Sequence, residues 1–301
     1  MSVILGPLNL WLRWTEKTYL RRVTSAQAMR RSLEIKSRLF FRAPFGARFR
    51  RDTVAGVPVL HVTAGEAADQ PLILYFHGGA YVFGSPDTHR AMVATLANKT
   101  GVAAVLPKYR KAPEHPFPAA IDDALAVYRA VMDRPGGVIL GGDSAGGGLA
   151  LSLLAEVLRQ GLTPPLGSFA LSPLTDMTYS GASIVKNAEA EAVLPVERIG
   201  DASEWYLNGA DPRDPRVSPL FAPFTGAPPV WICVGDTEIL LDDSRRMADR
   251  LQDQGVDVTL TIEHDHPHVW PLFHTFLPEA RRTLDAVADW INSLPRRSGD
   301  S

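Results

Sequence analysis

Residues 138–158 read VILGGDSAGGGLALSLLAEVL. A short apolar run enters two glycines, an aspartate and a serine, then leaves through three more glycines into a stretch of helical character. Glycine-dense turns are costly to order, so a single serine at the centre of one calls for a reason. Gly142-Asp143-Ser144-Ala145-Gly146 fits G-x-S-x-G between a strand and a helix, which is the setting of a nucleophile elbow. In that turn the serine is strained with its hydroxyl projecting, and a Cβ at either flanking glycine would collide with neighbouring backbone. The helix start supplies unpaired N–H groups and a positive dipole end, suited to a developing oxyanion. A tightly packed Gly-rich turn or a phosphate loop would share the pattern. A Walker-type loop is excluded, because no Gly-Lys-Ser/Thr follows.

Outward from this stretch, apolar runs alternate with helical ones. Residues 71–77 (PLILYFH), 102–109 (VAAVLPKY), 138–140, 166–172 (LGSFALS), 229–235 (PVWICVG) and 257–263 (DVTLTIE) read as strands. Helical patterns at 87–100, 119–133, 148–160, 240–254 and 278–294 fall between or after them. Alternation of this kind predicts an α/β fold with a mostly parallel sheet covered on both faces. The 148–158 helix is apolar nearly all round and is expected to be deeply buried. Residues 1–45 look helical, ending near Pro44. Residues 178–216 break the alternation and read as an insertion that covers a site together with 1–45. The expected division is therefore 1–45 and a catalytic domain over 46–301, interrupted at 178–216.

The 301 residues are 46% hydrophobic and 21% charged, ordinary for a globular chain with a sizeable core. A net charge of −2 gives no case for nucleic acid. The single cysteine, Cys233, excludes an internal disulfide framework, fits a reducing, cytoplasmic setting, and reads as a buried structural thiol. The opening MSVILGPLNLWLRW has no basic residue ahead of its apolar run and reads as neither signal peptide nor membrane span. Charge is uneven, however. Residues 1–51 hold twelve Lys or Arg against two acids, a net +10 that leaves −12 for the remainder. A solvated helix face paired with acidic surface elsewhere accounts for this; a membrane-surface role is the less favoured reading.

A second stretch, LYFHGGAYVFGS at 74–85, ends a strand in His77-Gly78-Gly79-Ala80. Acyl transfer through a tetrahedral intermediate needs donors aimed at its oxygen. The expected donors are the amides of Gly79 with Gly78 or Ala80, plus Ala145. His77 reads as a loop pin rather than a base. In elbow enzymes the order is serine, acid, histidine. Asp236 and Glu238 lie just past a strand in VGDTEILLDDS, while Asp242 and Asp243 read as the start of the next helix. Among the later histidines, His264, His266 and His268 form HDHPH. Their spacing invites a metal reading, but Pro267 argues against a regular strand and no companion ligand motif supports one. No metal or cofactor is expected. His268, beyond the last predicted strand, is the preferred base, with His266 as fallback.

The two glycine stretches together resemble the hormone-sensitive-lipase family (family IV) of bacterial esterases, a branch with the α/β-hydrolase fold. The resemblance spans most of residues 70–275. It includes YRKAPEHPFPAAIDDALAVYR at 109–129, LSPLTDMT at 171–178 and DHPHVWPLF at 265–273. Ala80 stands where the family usually has a third glycine, which leaves the backbone donor intact. Laid on the family's D-P-L-R-D-E segment without a gap, the chain places Glu238 at the acid of the triad, with Asp236 still open. HPHVW matches the family's P-H-x-F/W and supports His268. Glu114, Arg110 and Asp122 read as half-buried braces under the site.

The resemblance implies a serine carboxylesterase for short- to medium-chain acyl esters, a helical cap over the acyl pocket, a small-molecule ester substrate and a homodimer. An interfacial lipase and a non-catalytic small-ligand receptor on the same fold are the rival readings.

Overall fold

The computed structural model describes residues 2–63 and 70–296. Its strands are β1 Arg48–Val54, β2 Val57–Thr63, β3 Leu72–Phe76, β4 Ala103–Pro107, β5 Val138–Asp143, β6 Gly167–Leu171, β7 Val230–Gly235 and β8 Val258–Glu263. Its α-helices are α1 Leu5–Leu12, α2 Thr18–Arg22, α3 Ala26–Phe40, α4 Pro86–Thr100, α5 Ala119–Val131, α6 Ala145–Arg159, α7 Ser183–Lys186, α8 Ile199–Leu207, α9 Leu241–Gln252 and α10 Pro278–Ser293. The strands form one sheet in the order β1-β2-β4-β3-β5-β6-β7-β8. From β4 to β8 every neighbouring pair is parallel. This is the mostly parallel α/β sheet expected from the alternation, and its architecture is that of the α/β-hydrolases implied by the resemblance.

The antiparallel β1–β2 hairpin is absent from the strand assignment made on the sequence. β1 is RFRRDTV, mostly exposed, with no apolar alternation to signal it. Val54 pairs with Val57 across Ala55-Gly56, both at positive φ (48° and 81°), the two-residue geometry that suits a hairpin's twist.

Central strands are buried on both faces, as parallel strands between helix layers must be. Alternate residues of β3 show the partition. Leu72, Leu74 and Phe76 join a core with α5, α6 and α9. Ile73 and Tyr75 join the opposite core with α1, α4 and α10. Helix α6 is buried continuously from Ala145 to Val157, as its all-round apolar pattern predicts. The braces expected under the site are arranged differently from the expectation. Arg110 pairs with Asp123 (2.8 Å), not with exposed Asp122, and Glu114 pairs with Arg30 of α3 (2.6 Å). Consecutive helical residues point about 100° apart, and only Asp123 points back towards the loop.

Helix α6 abuts the sheet with nothing between backbones. A Cβ on Gly146 would overlap the carbonyl oxygens of Phe76 and His77, and one on Gly142 would overlap Gly146's own carbonyl. Gly146→Ala is therefore expected to lower the unfolding free energy by about 1–3 kcal/mol in denaturant melts. Gly6→Ala, in open space within α1, is expected to raise it by about 0.5–1 kcal/mol.

Candidate active site

Five loops converge beyond the carboxyl ends of β3, β5, β6, β7 and β8, where open parallel sheets gather ligands. Each contributes one part. β5 ends at Asp143 and the chain turns sharply into α6 through Ser144, whose backbone sits at φ 52°, ψ −123°. The turn is locked on both sides. Ser144 N–H donates to Leu171 O (2.8 Å), and Ser144 O accepts from Gly148 and Leu174 amides (3.0 Å each).

From Ser144 a continuous chain of hydrogen bonds runs inward. Ser144 Oγ lies 2.9 Å from His268 Nε2, and His268 Nδ1 lies 2.6 Å from Glu238 Oε2. The other carboxylate oxygen of Glu238 accepts from Ser172 Oγ (2.7 Å) and Gly235 N–H (2.6 Å). Glu238 is 1% exposed and His268 7%. Burial alone pushes the His268 imidazole's pKa down. The hydrogen bond and charge of Glu238, with Glu191 and Asp143 further off, outweigh it, and the net lies above the ordinary histidine value.

Asp236 sits apart from this chain. Its carboxylate takes His264 Nδ1 (2.7 Å) and the Asp265 amide (2.8 Å). His266 turns its ring edge to Trp270 at 5.0 Å and its Nδ1 to His264 O. The three histidines of HDHPH thus have three different partners and do not converge. Among the described residues no group of three or more His, Cys, Asp or Glu could hold a metal.

The glycine loop after β3 is tied to the elbow by Asp143, 2% exposed. Its carboxylate accepts from Tyr75 Oη (2.7 Å) and from Gly78 N–H (3.1 Å), and lies 3.1 Å from His89 Nε2. Gly78 therefore falls out of the donor set expected from the sequence: its amide is held by Asp143. Among the described residues no acceptor stands at the amides of Gly79, Ala80 or Ala145. His77 is fully buried, stacked on Tyr109 at 4.3 Å, and its ring meets Gly78 O at 2.8 Å.

These groups open on a cavity of about 600 Å³ with an apolar lining. Leu8, Trp11, Met29 and Leu33 come to it from the N-terminal helices, Leu194 and Ile199 from the insertion, and Leu272 and Phe273 from beyond His268.

A family model described as an alpha/beta hydrolase fold matches residues 73–272. The chain belongs to the α/β-hydrolase family. An esterase of Acinetobacter venetianus is 35% identical, with 94% of each chain covered. An acetyl-hydrolase of Streptomyces hygroscopicus is 39% identical over 75% of this chain and 76% of its own. The crystal structure of an esterase from the bacterial hormone-sensitive lipase family superposes with a TM-score of 0.91 at 34% identity, covering 98% of this chain and 99% of that one. Within the family, this hydrolase falls with the hormone-sensitive-lipase-type esterases and is a carboxylic ester hydrolase.

Several residues of the hydrolase's site carry no assignment from its sequence. Ser172, held at φ 48°, bridges Glu238 to the Val269 amide. Its only signal was its place just past a strand in LSPLTD. From the insertion, Asn187 Nδ2 donates to the carbonyls of Asp236 (2.9 Å) and Glu238 (2.7 Å). Glu191, 1% exposed, accepts the Ile239 amide (3.1 Å). Burial pushes its carboxyl up in pKa, His268 pulls it down, and Glu238 pushes it up again, with a raised net value. Lys17, buried and lowered in pKa by that burial, donates to the carbonyls of Ala188 (2.7 Å) and Glu191 (2.8 Å). Nothing in the sequence pattern marks these contacts, which join segments far apart in the chain.

The two carboxylates are separable by histidine NMR titration. In Glu238→Gln the His268 pKa is expected to fall below its wild-type value. Asp236→Asn should instead lower His264, whose pKa is raised by that carboxylate, and leave His268 unmoved. The reverse pattern would make Asp236 the partner of His268.

Proposed function

We propose that this hydrolase is a serine carboxylesterase acting on short- to medium-chain acyl esters through an acyl-enzyme on Ser144. The observation that carries the reading is the unbroken Ser144–His268–Glu238 hydrogen-bond chain at the wall of an apolar cavity, beside three unclaimed amides. His268 Nε2 takes the Ser144 proton as Oγ attacks the ester carbonyl. The oxyanion that forms is held by the amides of Gly79, Ala80 and Ala145, which have no other acceptor among the described residues to lose. His268 passes its proton to the leaving alcohol, and water then cleaves the acyl-enzyme with the same roles reversed. Glu238 holds the imidazole with Nδ1 protonated and stabilises the charge it acquires; its second oxygen is fixed by Ser172 and Gly235, so the longer glutamate side chain is not free to swing.

Residues 1–45 and 178–216 serve in this reading as a cap that forms the acyl pocket. Its limited volume favours short and medium acyl groups over long ones, and the acetyl-hydrolase among the relatives supports the short end.

Ser144→Ala should reduce kcat for p-nitrophenyl butyrate by at least about 10⁴-fold with an unchanged melting profile, and should abolish labelling by an organophosphate. Hydrolysis by the variant at a comparable rate would remove Ser144 from the mechanism. Activity of the wild type should fall as pH drops through the His268 pKa, because only the neutral imidazole accepts the serine proton. A pH–kcat/KM profile reads that limb. It should lie above the pH expected of an ordinary histidine.

A further inference from the structure

Nine of the eleven large apolar side chains most exposed among the described residues lie between Val3 and Phe45. They are not scattered. Along α1 and the turn after it, Val3, Pro7, Leu10 and Trp14 repeat at helical spacing on the outward side, and no charged residue is exposed between Val3 and Trp14. Trp14 is 76% exposed and Leu10 54%. The outward side of α3 and its exit reads Arg31, Ile35, Arg38, Leu39, Arg42, with Leu39 65% and Ile35 49% exposed. The two helices meet through the Trp11 and Phe40 rings, 5.6 Å apart. Those two rings also line the cavity, so the exposed face borders its mouth.

A folded chain does not ordinarily leave so large a contiguous apolar face to water. Its surroundings say what would cover it. Arg22, Arg31, Arg42 and Arg48 have no carboxylate partner among the described residues. The segment to residue 51 carries +10 in a chain of net −2; acids from elsewhere pair with Arg21, Arg30 and Arg51, and the positive charge of the arginines left unpaired favours anionic surfaces. Long arginine stems flanking aliphatic and indole side chains are the composition of a helix lying in a lipid interface, with apolar groups below the headgroups and guanidinium groups among the phosphates. No helix among the described residues is long and apolar enough to cross a membrane.

We propose that the outer face of α1 and α3 docks reversibly on an anionic phospholipid bilayer, setting the cavity mouth at the lipid surface so that sparingly soluble esters enter without crossing water. This goes beyond the esterase reading and does not need it: docking is measured on the Ser144→Ala protein, where no turnover occurs, so either claim can fail alone.

The test is flotation of the full chain with vesicles of pure phosphatidylcholine and of phosphatidylcholine with 30% phosphatidylglycerol, roughly the anionic content at which basic segments are attracted. The expected result is binding to the mixed vesicles that is weakened by salt and at least about tenfold weaker on phosphatidylcholine alone. A quadruple variant, Leu10→Ser, Trp14→Ser, Ile35→Ser and Leu39→Ser, should lose that binding. None of the four lines the cavity, so the same changes on the Ser144 enzyme should keep the hydrolysis of dissolved p-nitrophenyl butyrate, which also reports that the variant is folded. Failure of the full chain to float with mixed vesicles would overturn the proposal. So would undiminished binding by the variant, or a dimer in sedimentation that the four changes dissolve, since a second copy would then be what covers the face.

Discussion

The backbone of Ser144 is held at φ 52°, ψ −123°, a conformation an L-residue adopts only when its surroundings leave no alternative, at a cost on the order of 1–3 kcal/mol. The remainder of the site is organised around keeping it there. The serine's own amide and carbonyl are bound by β6's last residue, by the first turn of α6 and by the loop after β6. Helix α6 can come so close to the loop after β6 only because Gly148 has no side chain, and so close to β5 and β3 only because Gly142 and Gly146 have none. Asp143, one residue earlier, fastens the glycine loop after β3 to the same turn. The geometry of Ser144 and the placement of the glycine loop after β3 are thus consequences of a single tight strand–helix junction.

Much of this was legible in the chain because the relevant constraints are local. G-x-S-x-G between an apolar run and an apolar helix announces the junction, and short apolar runs alternating with helical stretches announce the parallel sheet. What escaped was set by long-range contact. β1 reads as three arginines among four other residues and becomes a strand only because β2 pairs with it. The residues alone do not choose between Glu238 and Asp236, and it is the resemblance that favours Glu238: two residues apart after β7, one turns inward to Ser172, Gly235 and His268, the other outward to His264. The competition for Gly78's amide could not be foreseen either, since it depends on where the Asp143 side chain goes once α6 packs.

Electrostatics in the interior follow the same economy. Two buried carboxylates, Glu238 and Glu191, stand on the far side of one imidazole, and the burial that disfavours charge on His268 is more than offset by them. Such a cluster is stable only if its oxygens are saturated with donors. Here Glu238 has Ser172, Gly235 and His268, and Glu191 has the amides of Val193 and Ile239.

The stitching of the insertion to that cluster bears on how such enzymes diverge. Asn187 and Glu191 grip the backbone on either side of Glu238, and Lys17 in turn grips the backbone at 188 and 191. The stretch that walls the pocket is also the scaffold of the acid, so the two cannot be exchanged independently. A graft that swaps this insertion for a relative's, to change the acyl group accepted, would carry the acid's support with it and would need the matching first helices as well. The insertion, the Glu238 loop and the first helices are therefore held together as a three-part unit.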